Sequence, residues 1–167
     1  MATTLRGSDN FDTAPDGLGK VLQVTQAFDN GATDTNKVGL LVTTSTTFNT
    51  VLSHSVVSVG TNSKFRVTAN ITAYNGNPYQ GSIRLMRYDS NSGQSVVVVD
   101  GRYTHYSAGG DFNSNVIDFI DTITAPSGTT VTYTVQGRSD NTNIIYFGYG
   151  DGGGGPSNNL TVMEIEQ

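Results

Sequence analysis

Cysteine and tryptophan are missing altogether, histidine and glutamate occur twice each, and charged residues fill only 14% of the 167 positions. The missing thiols exclude disulfide staples and cysteine nucleophiles. Two His without Cys also fall short of the usual four-ligand structural zinc set, so no metal or other cofactor is expected. Low charge, against about 25% in an ordinary domain, leaves Ser, Thr, Asn and Gly to cover the exterior. The nine basic residues are scattered and the formal charge is −5, which excludes the Lys/Arg clusters that neutralise phosphates; no nucleic acid is expected as partner. No run approaches the roughly eighteen apolar residues of a membrane span, and residues 1–20 hold no basic start followed by an apolar stretch. Neither a membrane partner nor a secretory leader is expected, which points to synthesis in a cytoplasm.

What the chain does hold is a series of short Val, Ile, Leu, Phe and Tyr runs separated by Gly, Asn, Asp and Ser. Val131, Tyr133 and Val135 alternate with Thr130, Thr132 and Thr134, the period-two signature of a strand with one packed face. Phe65, Val67, Ala69, Ile71 and Ala73 mark another inward face, opposite Arg66, Thr68, Asn70 and Thr72. Strands are expected near 20–28, 37–43, 48–59, 64–74, 82–88, 94–100, 115–124, 129–136, 143–149 and 159–166. Turn residues such as Asn75-Gly76-Asn77-Pro78, Asn91-Ser92-Gly93 and Pro126-Ser127-Gly128 separate several of them. The pattern predicts an all-β antiparallel sandwich of jelly-roll type over residues 20–167.

Residues 1–19 carry only isolated apolar side chains, Leu5, Phe11 and Leu18, among Gly, Pro and Asp. Such an arm cannot order itself alone, so these three are the expected anchors on a neighbouring subunit or particle; an arm lying across its own domain is the other possibility. Val96 to Val99, Ile144 to Phe147, and Val116, Ile117, Phe119 and Ile120 are apolar on both strand faces. A second apolar face needs another layer or another subunit. Oligomerisation is therefore expected, with Ile144, Tyr146, Phe147 and Tyr149 at the subunit interface.

Chemical motifs are weak. His54 and His105 are the only imidazoles; a hydrolase would need one of them beside a Ser and an Asp, as His105 is near Ser107 and Asp111 in sequence, but no Gly-x-Ser-x-Gly elbow is present. Asp89-Ser90-Asn91-Ser92-Gly93 imitates the opening of a calcium loop without its distal Glu, and reads as a hairpin turn. Gly150-Asp151-Gly152-Gly153-Gly154-Gly155-Pro156 lacks the Lys-Ser/Thr of a phosphate loop and reads as a connection between the last two strands. The sequons at Asn70 and Asn159 fall inside expected strands. Tyrosines at strand ends and in loops, Tyr79, Tyr103 and Tyr106 among them, carry an apolar ring with a polar tip and suit contact with a sugar or a partner. Most loop tyrosines, however, serve to close core edges.

The order of segments resembles small structural proteins of marine tailed phages, those of cyanobacteria in particular. The likeness covers residues 19–167 and runs through Gly19 to Phe28, Asn62 to Ala69, Ile83 to Arg87, the Pro-Ser-Gly-Thr turn at Pro126, and Leu160 to Ile165. Its middle and end are also similar to the trimeric jelly-roll heads of the tumour necrosis factor and complement globular-head type. The resemblance implies a non-catalytic virion structural protein, a capsid decoration or cement protein on the virion surface. It implies a homotrimer whose partners are itself and the major capsid protein or other virion proteins. A tail-fibre or appendage tip that reads host glycans through Tyr79, Tyr103 and Tyr106 is the alternative.

Overall fold

A computed structural model describes residues 19–29, 41–74, 80–103, 112–148 and 158–166. The expected strands are present: β1 (Val21–Asp29), β2 (Leu41–Thr43), β3 (Asn49–Val57), β4 (Ser63–Tyr74), β5 (Gly81–Asp89), β6 (Gln94–Tyr103), β7 (Phe112–Ala125), β8 (Thr130–Ser139), β9 (Ile145–Phe147) and β10 (Asn158–Glu166). Of the segment expected at 37–43, residues 37–40 lie outside the described residues. Pairing is nested: β5 with β6, β4 with β7, β3 with β8 and β1 with β10, all antiparallel. This is one long hairpin. Rolling it up brings β10 beside β4 and β8 beside β5, giving a larger sheet containing β1-β10-β4-β7 and a smaller sheet β3-β8-β5-β6. That is the jelly roll which the alternating pattern predicted.

Inward side chains of both sheets make one core. Phe65, Val67, Ala69 and Ile71 from β4 and Leu160 and Val162 from β10 meet Ile83 and Leu85 from β5 and Val131, Tyr133 and Val135 from β8. A polar tie crosses it. Asp121 of β7 accepts from Arg87 Nη1 at 2.6 Å and from the Tyr133 hydroxyl at 3.0 Å, both on the opposite sheet. Burial and the Asp121 charge hold the Tyr133 phenol far above its usual range, so it remains a donor. Phe147 is also wholly internal, because Gly137 has no side chain: a Cβ there would stand 2.7 Å from the Phe147 ring.

The larger sheet hides an interruption. Phe147 pairs with Ala73 and Asn159 pairs with Asn70, so twelve steps of chain face three steps of β4. The excess of nine equals residues 149–157, and β9 and β10 are two halves of one line. Gly148, at φ 73°, turns the chain out of that line, a conformation that only glycine adopts cheaply. Its N–H still donates to Thr72 O at 2.6 Å, while the Asn158 side-chain oxygen accepts from Thr72 N at 2.8 Å, replacing a ladder carbonyl. β1 and β2 are broken at the same level beside it, since Asp29 pairs with Asn158 and Leu41 with Phe147.

The two ends of the sandwich differ. Connections 30–40, 75–79, 104–111 and 149–157 all begin and finish on strand ends at one end. At the other, short turns are bonded to each other: Ser58 N donates to Thr129 O, Gly128 N to Ser58 O, and Ser90 N to Thr130 O. The Asp89 segment is the expected hairpin turn, with the carboxylate accepting from Asn91 N and Ser92 N.

Glu164, 0% exposed, closes this end. Its carboxylate accepts from Gln23 Nε2, Ser58 Oγ, Ser63 Oγ, Val59 N and Gly60 N. Burial pushes its pKa up, but the donors from Ser63, Gly60, Gln23 and Ser58 outweigh that and hold it below the usual value.

Two outcomes follow from this architecture. Deleting 149–157 so that Gly148 joins Asn158 restores an unbroken strand; circular dichroism should remain all-β and Tm should move by less than about 4 °C, the shift that about 1 kcal/mol produces in a chain of this size. Loss of cooperative unfolding would contradict the register. Glu164's depressed pKa gives stability that is present above the ordinary value of 4.5 and lost as pH falls through the folded value. In acid titrations followed by denaturant unfolding, Glu164→Gln should therefore flatten part of the acid limb, leaving the slope due to Asp89 and Asp118, whose pKa values are also lowered. It should cost about 3 kcal/mol or more at neutral pH, because an amide cannot accept from every buried donor.

Candidate assembly surface

The outward positions of the larger sheet lie in rows fixed by the pairing register. One row holds Val24, Met163, Arg66 and Ile120; the next holds Gln26, Thr161, Thr68 and Asp118; the third holds Phe28, Asn159, Asn70 and Val116. Val21, Ile165 and Lys64 continue the face towards the closed end, and Val42, Tyr146 and Tyr74 towards the other. Val21, Val24, Phe28, Val42, Val116 and Ile120 are all exposed, Phe28 at 60%, Val116 at 61% and Ile120 at 55%. Ile144, just before β9, is exposed as well. Isolated exposed apolar residues are ordinary, but a set of them on one sheet face is the arrangement that interfaces use.

The face also has a charge pair. Arg66 Nε donates to Asp118 Oδ1 at 3.0 Å and Nη2 to Oδ2 at 2.7 Å, a bidentate bridge between β4 and β7. The hydrogen bond, and then the opposite charge, raise the Arg66 pKa; the same hydrogen bond lowers that of Asp118.

The smaller sheet also exposes Val57, Val97 and Tyr88, but carries hydroxyl pairs and stacked guanidinium groups between them. Ser53 pairs with Thr134 at 2.9 Å and Ser55 with Thr132 at 2.8 Å through their hydroxyls. Towards the other end the Phe48 ring takes the guanidinium groups of Arg84 and Arg138 at 4.1 and 4.6 Å from its centroid. Arg84 also donates to Gln136, and Arg138 to Asp140. Its hydrogen-bonding groups are used mostly within the face itself.

Of the residues singled out from sequence, Val116 and Ile120 stand outward on β7, while Ile117 from the same run faces the core. Ile144 is exposed, and Tyr146 is half-buried with its ring 5.8 Å from that of Tyr74. Phe147 requires correction: it is 0% exposed and serves the core of its own chain, so it offers nothing to a neighbour. Leu5, Phe11, Leu18, Tyr79, Tyr106, His105, Ser107, Asp111 and Tyr149 lie outside the described residues, as does the side chain of Tyr103. The apolar side chains of β1 were not foreseen. Their signal was present, since Val24 and Phe28 share one strand face while Leu22 and Ala27 fall on no single alternation.

Among the described residues no group of three or more His, Asp or Glu is placed to hold a metal ion. No helix among them is long and apolar enough to cross a membrane.

No protein-family model matches this chain, and no curated protein matches it. Solved structures that align with this chain include the T13 particle of infectious bursal disease virus, with a TM-score of 0.48 and 11% identity over 97% of this chain and 39% of that one. The Gx strain of the same virus aligns with a TM-score of 0.39 and 9% identity over 95% of this chain and 46% of that one. A pentameric capsid protein from metagenomic phage sequences gives 0.26 and 11% over 66% and 58%. This chain spans less than two thirds of each of those chains, and no residue role passes from them to it.

His54 supplies a check on the packing beside this face. It points inward from β3, which packs against β1, and its Nε2 is buried without a partner among the described residues, as is Thr25 Oγ1 of β1. Burial lowers its pKa below 6.5. An NMR titration should show a midpoint below that value. Because the unfolded chain takes up the proton first, stability should begin to fall as pH drops through 6.5 and level off below the folded midpoint.

Proposed function

We propose that this chain is a non-catalytic structural protein of a virion, a head decoration or cement protein that works by covering and joining other subunits. The observation that carries this reading is the outer face of the larger sheet, where six exposed large apolar side chains are held by backbone register on one surface. The jelly roll recurs in viral capsids and in lectins; since a fold alone assigns no function, the surface and the segment order of residues 19–167 are what support the virion reading. Decoration spreads many modest contacts over a particle, each contributing about 25 cal/mol per Å² of apolar surface before ordering costs. In this reading the protein is a homotrimer on the virion surface, bound to the major capsid protein. Ile144, Tyr146 and Tyr149 contribute to subunit contacts at the end with the long connections, and Leu5, Phe11 and Leu18 of the arm anchor it.

One observation favours the second reading, a tail-fibre or appendage tip that binds glycans. The described strand ends that flank 75–79 and 104–111, at Tyr74, Gly81, Tyr103 and Phe112, share one end of the sandwich. A glycan array with the purified protein separates the two.

The test of decoration is occupancy. Replacing Leu5, Phe11 and Leu18 together by Ser should reduce co-sedimentation with purified capsids by about tenfold or more, equivalent to about 1.4 kcal/mol, with Tm unchanged. Full occupancy by that variant overturns the anchoring mechanism, and failure of the unaltered protein to bind any capsid of its own virus overturns the reading itself.

A further inference from the structure

The three rows of the larger sheet are similar in size and shape read from either edge, with the charges of Arg66 and Asp118 on the β4–β7 side only. The first runs apolar, long, long, apolar through Val24, Met163, Arg66 and Ile120. The second runs polar, Thr, Thr, polar through Gln26, Thr161, Thr68 and Asp118, and the third apolar, Asn, Asn, apolar through Phe28, Asn159, Asn70 and Val116. We propose that this face packs on the same face of a second copy of the chain, about a two-fold axis that runs along the strands between β4 and β10.

Such an axis exchanges left and right within each row and leaves the row level unchanged. Val24 then meets Ile120 of the second copy, Phe28 meets Val116, Thr161 meets Thr68, and Asn159 meets Asn70. No charge faces a like charge, because Asp118 meets Gln26, Arg66 lies on the Met163 thioether and Lys64 lies on Ile165. The bidentate Arg66–Asp118 bridge stays intact inside each copy. Amide and hydroxyl groups on the two middle strands meet groups of their own kind, each of which both donates and accepts. A two-fold contact requires a self-complementary patch of this kind. Aligned packing of twisted sheets supplies the geometry.

The area is adequate. Four strands spaced about 4.8 Å apart, over rows spanning about 25 Å, give roughly 500 Å² per copy and about 1,000 Å² in all, the lower limit for a specific interface. The contact is therefore reversible and concentration-dependent. It rests on the same face as the proposed function and names a second copy as its occupant; it is a contact separate from the proposed trimer's, and depends on neither the arm nor the capsid.

A chain without cysteine makes the test direct. In the proposed pair the two Thr68 positions flank the axis at about 11 Å between Cα atoms, one strand spacing across and one sheet spacing deep. Thr68→Cys, treated with a short bis-maleimide, should give a covalent dimer at least about tenfold faster than Ser55→Cys on the outer face of the smaller sheet, the advantage of a high local concentration. Thr161→Cys should behave as Thr68→Cys does. Val24→Lys or Ile120→Asp, each introduced into Thr68→Cys, should abolish the rapid linkage, and the two together should restore it, because the axis sets these positions against each other. Equal rates for Thr68→Cys and Ser55→Cys overturn the proposal, as does failure of the paired substitutions to rescue. Trimer mass without Thr68 linkage overturns the face-to-face pair and leaves the virion reading standing. Rapid linkage in a protein that binds no capsid does the reverse.

Discussion

A carboxylate with no exposed surface holds one end of this sandwich together. Glu164 sits on β10, and its donors come from β1, from the turn after β3 and from the start of β4. An ionised group in such a place is tolerable only when its lone pairs are filled, so the turn at Ser58 to Gly60 is held in the one shape that aims its N–H groups inward. The neighbouring turn at Gly128 and Thr129 bonds to Ser58 in its own right. The first strand, the last strand and two turns thus become a single cooperative unit, with the nested pairing closed at its outermost members.

The same construction accounts for the division of labour between the ends and the faces. The closed end is fixed by Glu164 and the core is tied across the sheets by Arg87, Asp121 and Tyr133, and neither tie draws on residues from 30–40, 75–79, 104–111 or 149–157. The faces then differ because their side chains differ. The smaller sheet mixes hydroxyl pairs and stacked guanidinium groups with exposed Val57, Val97 and Tyr88, whereas the larger sheet sets Val24, Phe28, Val116 and Ile120 in common rows, where they gain most from being covered.

Much of this was legible in the sequence because a strand's period of two survives any tertiary context. The inward sets of β4 and β8 were read directly from alternation, and the Asp89 turn from its residue types. Three features were not legible, each for a physical reason. Asp121 lies in a strand where Val116, Ile117, Phe119 and Ile120 are apolar on both faces, and its partner Arg87 is distant along the chain, so no local pattern announces the ion pair. Phe147 lies in a segment apolar on both faces, and its burial depends on the missing side chain of Gly137 on another strand. The break between β9 and β10 cannot be seen along one strand at all, since it exists only as register against β4. The assembly surface was half visible: the doubly apolar β7 pointed to it, whereas Val24 and Phe28 join Val116 and Ile120 only once β10 and β4 set them in common rows.

The paired breaks at Gly148 and Asp29 have an evolutionary meaning. Because each line resumes in register against its neighbour, chain length at these two points is uncoupled from the ladder, and lengthening a connection costs entropy only logarithmically. Descendants of this sequence are free to drift, gain or trade material there while every cross-strand partner stays the same. Two adjacent sites of that kind, side by side on one rim, are places where length can change without rebuilding the scaffold.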